Sequence, residues 1–245
     1  MPKISIIIAT FNAAKTLRTA LDSVSGLQMK DWECVIVDGA SKDNTVEIIR
    51  EYVDADSRFR YVSESDKGIY DAFNKGWKMA RGEWIYYLGG DDQLTPHGIP
   101  DLLANECPEF DLLGGSVFLL WPNGRQKKQL SQGYRGCHQA YLTRRTTIQQ
   151  VGGFDISYKI IADFEMLTKL AVSKKYVVAN YDIPIAYFFV GGESQKLGSV
   201  FTLCKERYLI SGKHHLRKFP LLHFLYSFFR TLVVRIVHKA LYTNR

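Results

Sequence analysis

The chain has 245 residues, enough for one large domain with a substantial core. Hydrophobic residues make up 46% and charged residues 23%, which excludes a disordered chain and collagen-like repeats. The net charge of +7 is unevenly spread: after Glu206 there are eight basic residues and no acidic one, whereas the first 206 residues carry 24 basic against 25 acidic. A neutral body with a basic tail points the tail towards an anionic surface, membrane or nucleic acid.

The four cysteines, Cys34, Cys107, Cys137 and Cys204, form no CxxC pair, so zinc ribbons and thioredoxin-like sites give way to reduced thiols in a cytosolic protein. Met1-Pro2-Lys3 runs straight into a short apolar stretch, too short for a secretory leader and read instead as a buried strand. No run of ~18 uncharged apolar residues exists, so no transmembrane helix is expected.

In chain order, Lys3 to Ala9 is apolar and β-branched and predicts a strand. Ala13 to Val24 places Leu17, Ala20, Leu21 and Val24 at helical spacing. Glu33 to Val37 predicts a second strand, and Asn44 with Glu47 a capped helix. Phe59 to Val62, Ile69 to Ala80 and Glu83 to Leu88 read as strand, helix and strand. Thr95-Pro96 has the form of an N-cap and first helical residue. Further on, Asp111 to Leu120 predicts a strand, Asp163 to Ala171 a helix, and Tyr176 to Ala179 and Ile185 to Phe189 two strands. This alternation predicts an α/β fold with a mostly parallel sheet and helices on both faces. In such sheets ligands bind beyond the carboxyl ends of the strands.

Those ends carry the polar residues. They are Thr10-Phe11-Asn12, Asp38-Gly39-Ala40-Ser41, Asp66-Lys67-Gly68 and Gly89-Gly90-Asp91-Asp92. Neither a dinucleotide GxGxxG nor a Walker A lysine loop is present, so NAD-dependent oxidation and P-loop phosphoryl transfer lack their fingerprints. Adjacent Asp91 and Asp92 after two glycines suit a hard divalent cation shared with a phosphate; a solvated turn has the same composition. For Asp66 and Lys67 an exposed ion pair is the alternative reading. Asp163, at a predicted helix start, is placed for a helix cap.

Five segments, taken in order, resemble a family two glycosyltransferase of the GT-A fold, from the bacterial branch that builds exopolysaccharide, capsule and O-antigen. They are Ser5-Ile-Ile-Ile-Ala-Thr-Phe-Asn12, Val37-Asp-Gly-Ala-Ser-Lys-Asp-Asn-Thr45, Ser63 to Gly76, Arg81 to Asp92, and His138-Gln139 through Gly152-Gly153-Phe154-Asp155 to Asp163-Phe164-Glu165. The resemblance implies an inverting, metal-dependent hexosyl- or N-acetylhexosaminyltransferase with a nucleotide-sugar donor, of the UDP type, and Mg²⁺ or Mn²⁺. It implies donor contacts from Thr10, Phe11, Asn12, Asp38, Asp66, Lys67, Gly68, Asn74 and Asp91. Asp38 would meet the uracil imide, Asp91 and Asp92 would hold the metal, and Asp163 would be the catalytic base. Glu165 is the rival base, and His138 faces the acceptor or diphosphate unless it is structural. Gly89 departs from the family pattern, which has a side chain there, and leaves open which of Asp91 and Asp92 is the ligand.

The expected organisation is a GT-A domain over residues 1–212 and a basic amphipathic helix over 213–245. On a helix, His223, Ser227, Arg230, Thr231, Arg235 and His238 form a narrow stripe opposite Phe224, Leu225, Phe228, Phe229, Leu232, Val233, Ile236 and Val237. Arg230 and Arg235 disfavour a span, and the basic, aromatic-flanked face favours the bilayer interface; a core helix or a homodimer helix are the alternatives. Nucleic acid is disfavoured because the aromatics do not interleave with charge. The expectation is a cytoplasmic protein on the inner face of the cell membrane, acting on a lipid-linked oligosaccharide. The alternative is a membrane-anchored nucleotide-sugar-binding protein with weak or no turnover.

Overall fold

A computed structural model of the chain describes residues 1–192, 196–216 and 220–242. The first half is a run of parallel βα units: β1 (Ile4–Thr10), α1 (Leu17–Ser25), β2 (Trp32–Asp38), α2 (Thr45–Ala55), β3 (Phe59–Ser63), α3 (Ile69–Met79) and β4 (Trp84–Gly89). β1, β2 and β4 are apolar along nearly their whole length because both faces are covered. Ile4, Ile6 and Ile8 pack beneath α1 and α2 against Leu17, Leu21 and Ile49. Ile7 points the other way, towards Phe73 of α3.

The second half comprises β5 (Gln93–Leu94), α4 (Gly98–Leu103), β6 (Leu112–Leu120), β7 (Gln126–Leu130), a 3-10 turn at His138–Ala140, β8 (Tyr141–Arg144), α5 (Arg145–Val151), α6 (Ala162–Ser173), β9 (Val178–Phe189), α7 (Val200–Lys213) and α8 (Pro220–Tyr242). The strands form one sheet in the order β3-β2-β1-β4-β8-β6-β9-β5, with β7 on the flank of β6. β8 is antiparallel to both β4 and β6, so it joins the parallel half to the irregular half. The register pairs Thr10 with Asp38 and Ala9 with Gly89, which brings three strand ends level at one edge.

Several boundaries differ from the sequence reading. The helix expected at Thr95-Pro96 begins at Gly98, and Thr95 Oγ1 instead donates to the Pro184 carbonyl at 2.7 Å. Asn44 makes no side-chain cap; Asp43 accepts from the Thr45 N–H at 3.1 Å in its place. The two strands expected at Tyr176–Ala179 and Ile185–Phe189 are one strand, β9, whose register against β6 shifts near Ser116. β7 and β8 were not anticipated: β7 is polar and exposed, and β8 has only four residues.

α8 also differs from its helical-wheel expectation. Phe228 meets Phe201 of α7 edge-on, and Arg235 donates to the Lys196 carbonyl, so part of the polar stripe faces the protein. Leu225, Tyr226, Phe229 and Val233 are exposed. The side chains of His223, Phe224, Ile236, Val237 and His238 lie outside the described residues. No helix among the described residues is long and apolar enough to cross a membrane. Lys213 and His214, just past the expected boundary at 212, both bond Glu165 of α6.

Candidate active site

The level ends of β1 and β2 open into a cavity of about 410 Å³ lined by Thr10, Phe11, Gly39, Asp66, Gly68 and Ile69. Phe11 is 65% exposed, an aromatic face available for stacking. Asp66 lies directly over Gly39: a Cβ there would stand 2.7 Å from Asp66 Oδ2. The opposite oxygen of Asp66 accepts from the Gly68 N–H at 2.8 Å, where Gly68 adopts a φ of +115° closed to side chains. Asn12, at φ +49°, accepts from the Lys42 N–H at 2.8 Å and ties the first loop to the second. The Lys67 main chain bonds Asp71.

Asp38 lies beneath this cavity. It is fully buried, and each of its oxygens takes two donors: Thr10 Oγ1 at 3.2 Å and Ser41 Oγ at 2.5 Å on one, Ser41 N–H at 3.0 Å and Ser63 Oγ at 2.6 Å on the other. In this structure its oxygens brace the loops at residues 10, 41 and 63.

Beside the cavity stand Asp91 and Asp92. A Cβ on Gly89 would come within 2.5 Å of Asp92 Oδ2 and 3.0 Å of Asp91 Oδ1. The two carboxylates therefore converge over Gly89. Asp92 is buried, accepting from the Phe189 N–H at 2.9 Å and from Gln139 Nε2 at 2.6 Å. Burial, reinforced by the Asp91 charge, pushes its carboxyl up to about 7. A buried carboxyl facing a second carboxylate is a place where a cation is favourable, and this donor set fits a hard one. Among the described residues no group of three His, Cys, Asp or Glu closes a metal cage, so such a cation would take its remaining ligands from bound phosphate or water.

Gln139 links this pair to the second half of the site. The preceding residue, His138, sets Nδ1 3.0 Å from Asp163 Oδ2, and Tyr70 donates to Asp163 Oδ1 at 2.8 Å. Burial pushes the Asp163 carboxyl up, but the His138 and Tyr70 hydrogen bonds outweigh it and hold it below the ordinary value. His138 Nε2 is buried and makes no hydrogen bond among the described residues. The neighbouring residues Gln139 and His138 thus reach in two directions, one to Asp92 and the other to Asp163.

Two residues expected in the site are turned away from it. Asn74 donates to the Phe154 carbonyl at 2.8 Å and accepts its N–H at 2.9 Å, bracing the Gly152-Gly153 turn against α3. Glu165 is fully buried, 2.9 Å from Lys213 Nζ and 3.1 Å from His214 Nε2, and ties α6 to α7.

The model of the glycosyl transferase family 2 matches residues 5–168, two thirds of the chain. The chain belongs to that family. A PGL/p-HBAD biosynthesis glycosyltransferase of Mycobacterium tuberculosis (strain ATCC 25618 / H37Rv) is 32% identical over 200 residues, which cover 74% of this chain and 77% of that protein. The chondroitin synthase of Escherichia coli is 28% identical over 185 residues, 70% of this chain but 27% of that protein. Among solved structures, S. aureus TarS 1-349 in complex with UDP-GlcNAc superposes with a TM-score of 0.70 at 19% identity, covering 93% and 73% of the two chains. The mannosyltransferase PcManGT of Pyrobaculum calidifontis, with GDP-Man and Mn²⁺, also reaches 0.70, at 16% identity and 98% and 76% coverage. These likenesses show the GT-A architecture.

In this family 2 glycosyltransferase, three residues that shape the surroundings of Asp163 and Asp92 are not marked by the motifs. Gln139 could have been found beside His138. Tyr70 lies within the Gly68-Ile-Tyr-Asp71 stretch that the motif already spans. Glu206 carries no local signal.

Proposed function

We propose that the chain is an inverting transferase that moves a sugar from a nucleoside diphosphate to a hydroxyl of a lipid-linked glycan. The observation that carries this reading is the convergence of Asp91 and Asp92 over Gly89, with Gln139 bonded to Asp92 and its neighbour His138 to Asp163. The nucleoside occupies the cavity beside Phe11 and Asp66, with the loops held from beneath by Asp38. A divalent cation at Asp91 and Asp92 would offset the charge of the departing diphosphate. Asp163 takes the proton of the acceptor hydroxyl as its oxygen bonds the anomeric carbon and the bond to the diphosphate breaks. One displacement of this kind inverts the anomeric centre and needs no enzyme nucleophile.

The acceptor reading draws support from a groove of about 750 Å³ between α6, α7 and the 132–135 loop. Phe164, Leu167 and Val172 line it together with Arg135 and Arg207, which suits an amphipathic anionic molecule. Phe164 adjoins the base. The apolar outer face of α8 supports seating on an anionic membrane surface.

The test is a thermal-shift screen of nucleotide sugars with and without Mn²⁺, followed by NMR of the product. A donor that stabilises the fold only with cation present, and a product of inverted configuration, are expected. A retained configuration overturns the mechanism.

A further inference from the structure

Glu206 of α7 is a buried carboxylate whose partners are all main-chain donors of one loop. Oε1 accepts from the Lys159 N–H at 2.7 Å, and Oε2 from the N–H groups of Ile160 and Ile161 at 3.1 Å each. Burying a charge is costly unless it is fully hydrogen-bonded, and charge-assisted bonds to N–H groups are among the stronger ones. The gripped loop runs directly into α6. The Ile161 carbonyl accepts the first helical N–H, from Glu165, and Asp163 is the second helical residue.

The loop reaches Asp163 by a second route. The Tyr70 hydroxyl stands 2.8 Å from both the Ile160 carbonyl and Asp163 Oδ1. A hydroxyl has one proton to give, and burial with the nearby Asp163 charge keeps it on the phenol. Where the Ile160 carbonyl stands decides how Tyr70 divides that proton. Once Asp163 is protonated, its own O–H can donate to Tyr70, and Tyr70 can turn fully to Ile160.

We propose that Glu206 is a positioning residue for the transfer: by holding three consecutive N–H groups of residues 159–161 it sets the start of α6 and, through Ile160 and Tyr70, the orientation of the Asp163 carboxylate. This inference rests on Asp163 being the base. It gives α7 a part in the transfer through the main chain of residues 159–161.

The test uses the whole chain, with selectively ¹³C-labelled aspartate and the Asp163 signal assigned through Asp163→Asn. Asp163 is faced by His138 from the 3-10 turn and by Tyr70 from α3, with Glu206 behind the 159–161 loop. Removing the negative charge of Glu206 through space alone would lower the Asp163 pKa; losing the positioned hydrogen bond raises it. Glu206→Ala and Tyr70→Phe are both expected to raise it, and the double variant to raise it no further than the larger single change. With the donor identified by the screen, kcat falls by about tenfold or more in Glu206→Ala while the donor KM stays within about twofold. Glu206→Gln, which keeps a carbonyl acceptor, is expected in between; it carries the test if the alanine variant does not fold. A lowered Asp163 pKa, an additive double variant, or an unchanged kcat overturns the inference. Near-normal turnover in Asp163→Asn overturns the base reading instead, whatever Glu206 does.

Discussion

The His138 imidazole and the Asp163 carboxylate stand 3.0 Å apart across 25 residues of chain. The contact joins the turn that opens β8 to the first turn of α6, and it orients the group proposed as the base. Asp163→Asn keeps the size and removes the basicity. Turnover is expected to fall by roughly 10²–10⁴-fold with donor affinity retained, checked by steady-state kinetics beside calorimetry of nucleotide binding.

His138 also sets the pH range of that base. The folded Asp163 carboxyl is held below its ordinary value, so the ionised form and the stability it contributes persist above the unfolded value and are lost only as pH falls through the folded one. The acid limb of kcat is therefore expected below pH ~4. His138→Ala leaves burial less opposed and moves that limb upward. A limb that does not move would show that the pair is not coupled.

Asp92 behaves in the opposite sense. Its folded carboxyl is raised to about 7, so its contribution to stability is fully present below the unfolded value and is lost as pH rises towards 7. The metal-free protein should lose thermal stability between about pH 4 and 8, at no more than about 1.4 kcal/mol per unit. Mn²⁺ should restore it most strongly at the alkaline end. Melting curves of the protein and of Asp92→Asn, with and without cation, check this; an Asp92→Asn profile with the same slope contradicts it.

Gly89→Ala introduces a Cβ 2.5 Å from Asp92 Oδ2. The carboxylates must part, so the variant should remain folded yet lose most of its Mn²⁺-dependent stabilisation. An unaltered Mn²⁺ titration would move the cation site away from this pair.

Asp38→Ala strands the donors of Thr10, Ser41 and Ser63 in a buried position. A loss of about 1–3 kcal/mol is expected in urea denaturation, accompanied by weaker nucleotide binding. Unchanged stability with lost binding would instead return Asp38 to a direct ligand contact.

Removing residues 217–245 deletes α8 but keeps Lys213 and His214 on Glu165. Sedimentation with anionic liposomes should fall while nucleotide binding is unchanged. Equal sedimentation of the two forms would assign the apolar face to a protein partner.

The parallel half was legible because continuous apolar strands alternating with amphipathic helices leave little choice of architecture. Polar residues at strand ends then located the cavity and the carboxylate pair. What stayed hidden is direction. Asn74 and Glu165 sit in the right segments, but both side chains are committed to packing neighbouring elements. Asp38 stands at the right strand end, and its buried position follows from hydroxyls at Thr10, Ser41 and Ser63 that no single motif contains. β7 and β8 were too polar or too short to show a period, and Glu206 acts on main chain 45 to 47 residues away.

The Glu206 grip also has a temporal consequence. The loops around the cavity come from the first 70 residues and close through neighbouring units, whereas Asp92 pairs with Phe189 across 97 residues and the start of α6 waits for α7. Contacts of such span form late, after their closure entropy has been met. A chain emerging during synthesis would hold its cavity loops before it could set the start of α6, so recovery of turnover after refolding should lag behind recovery of ellipticity.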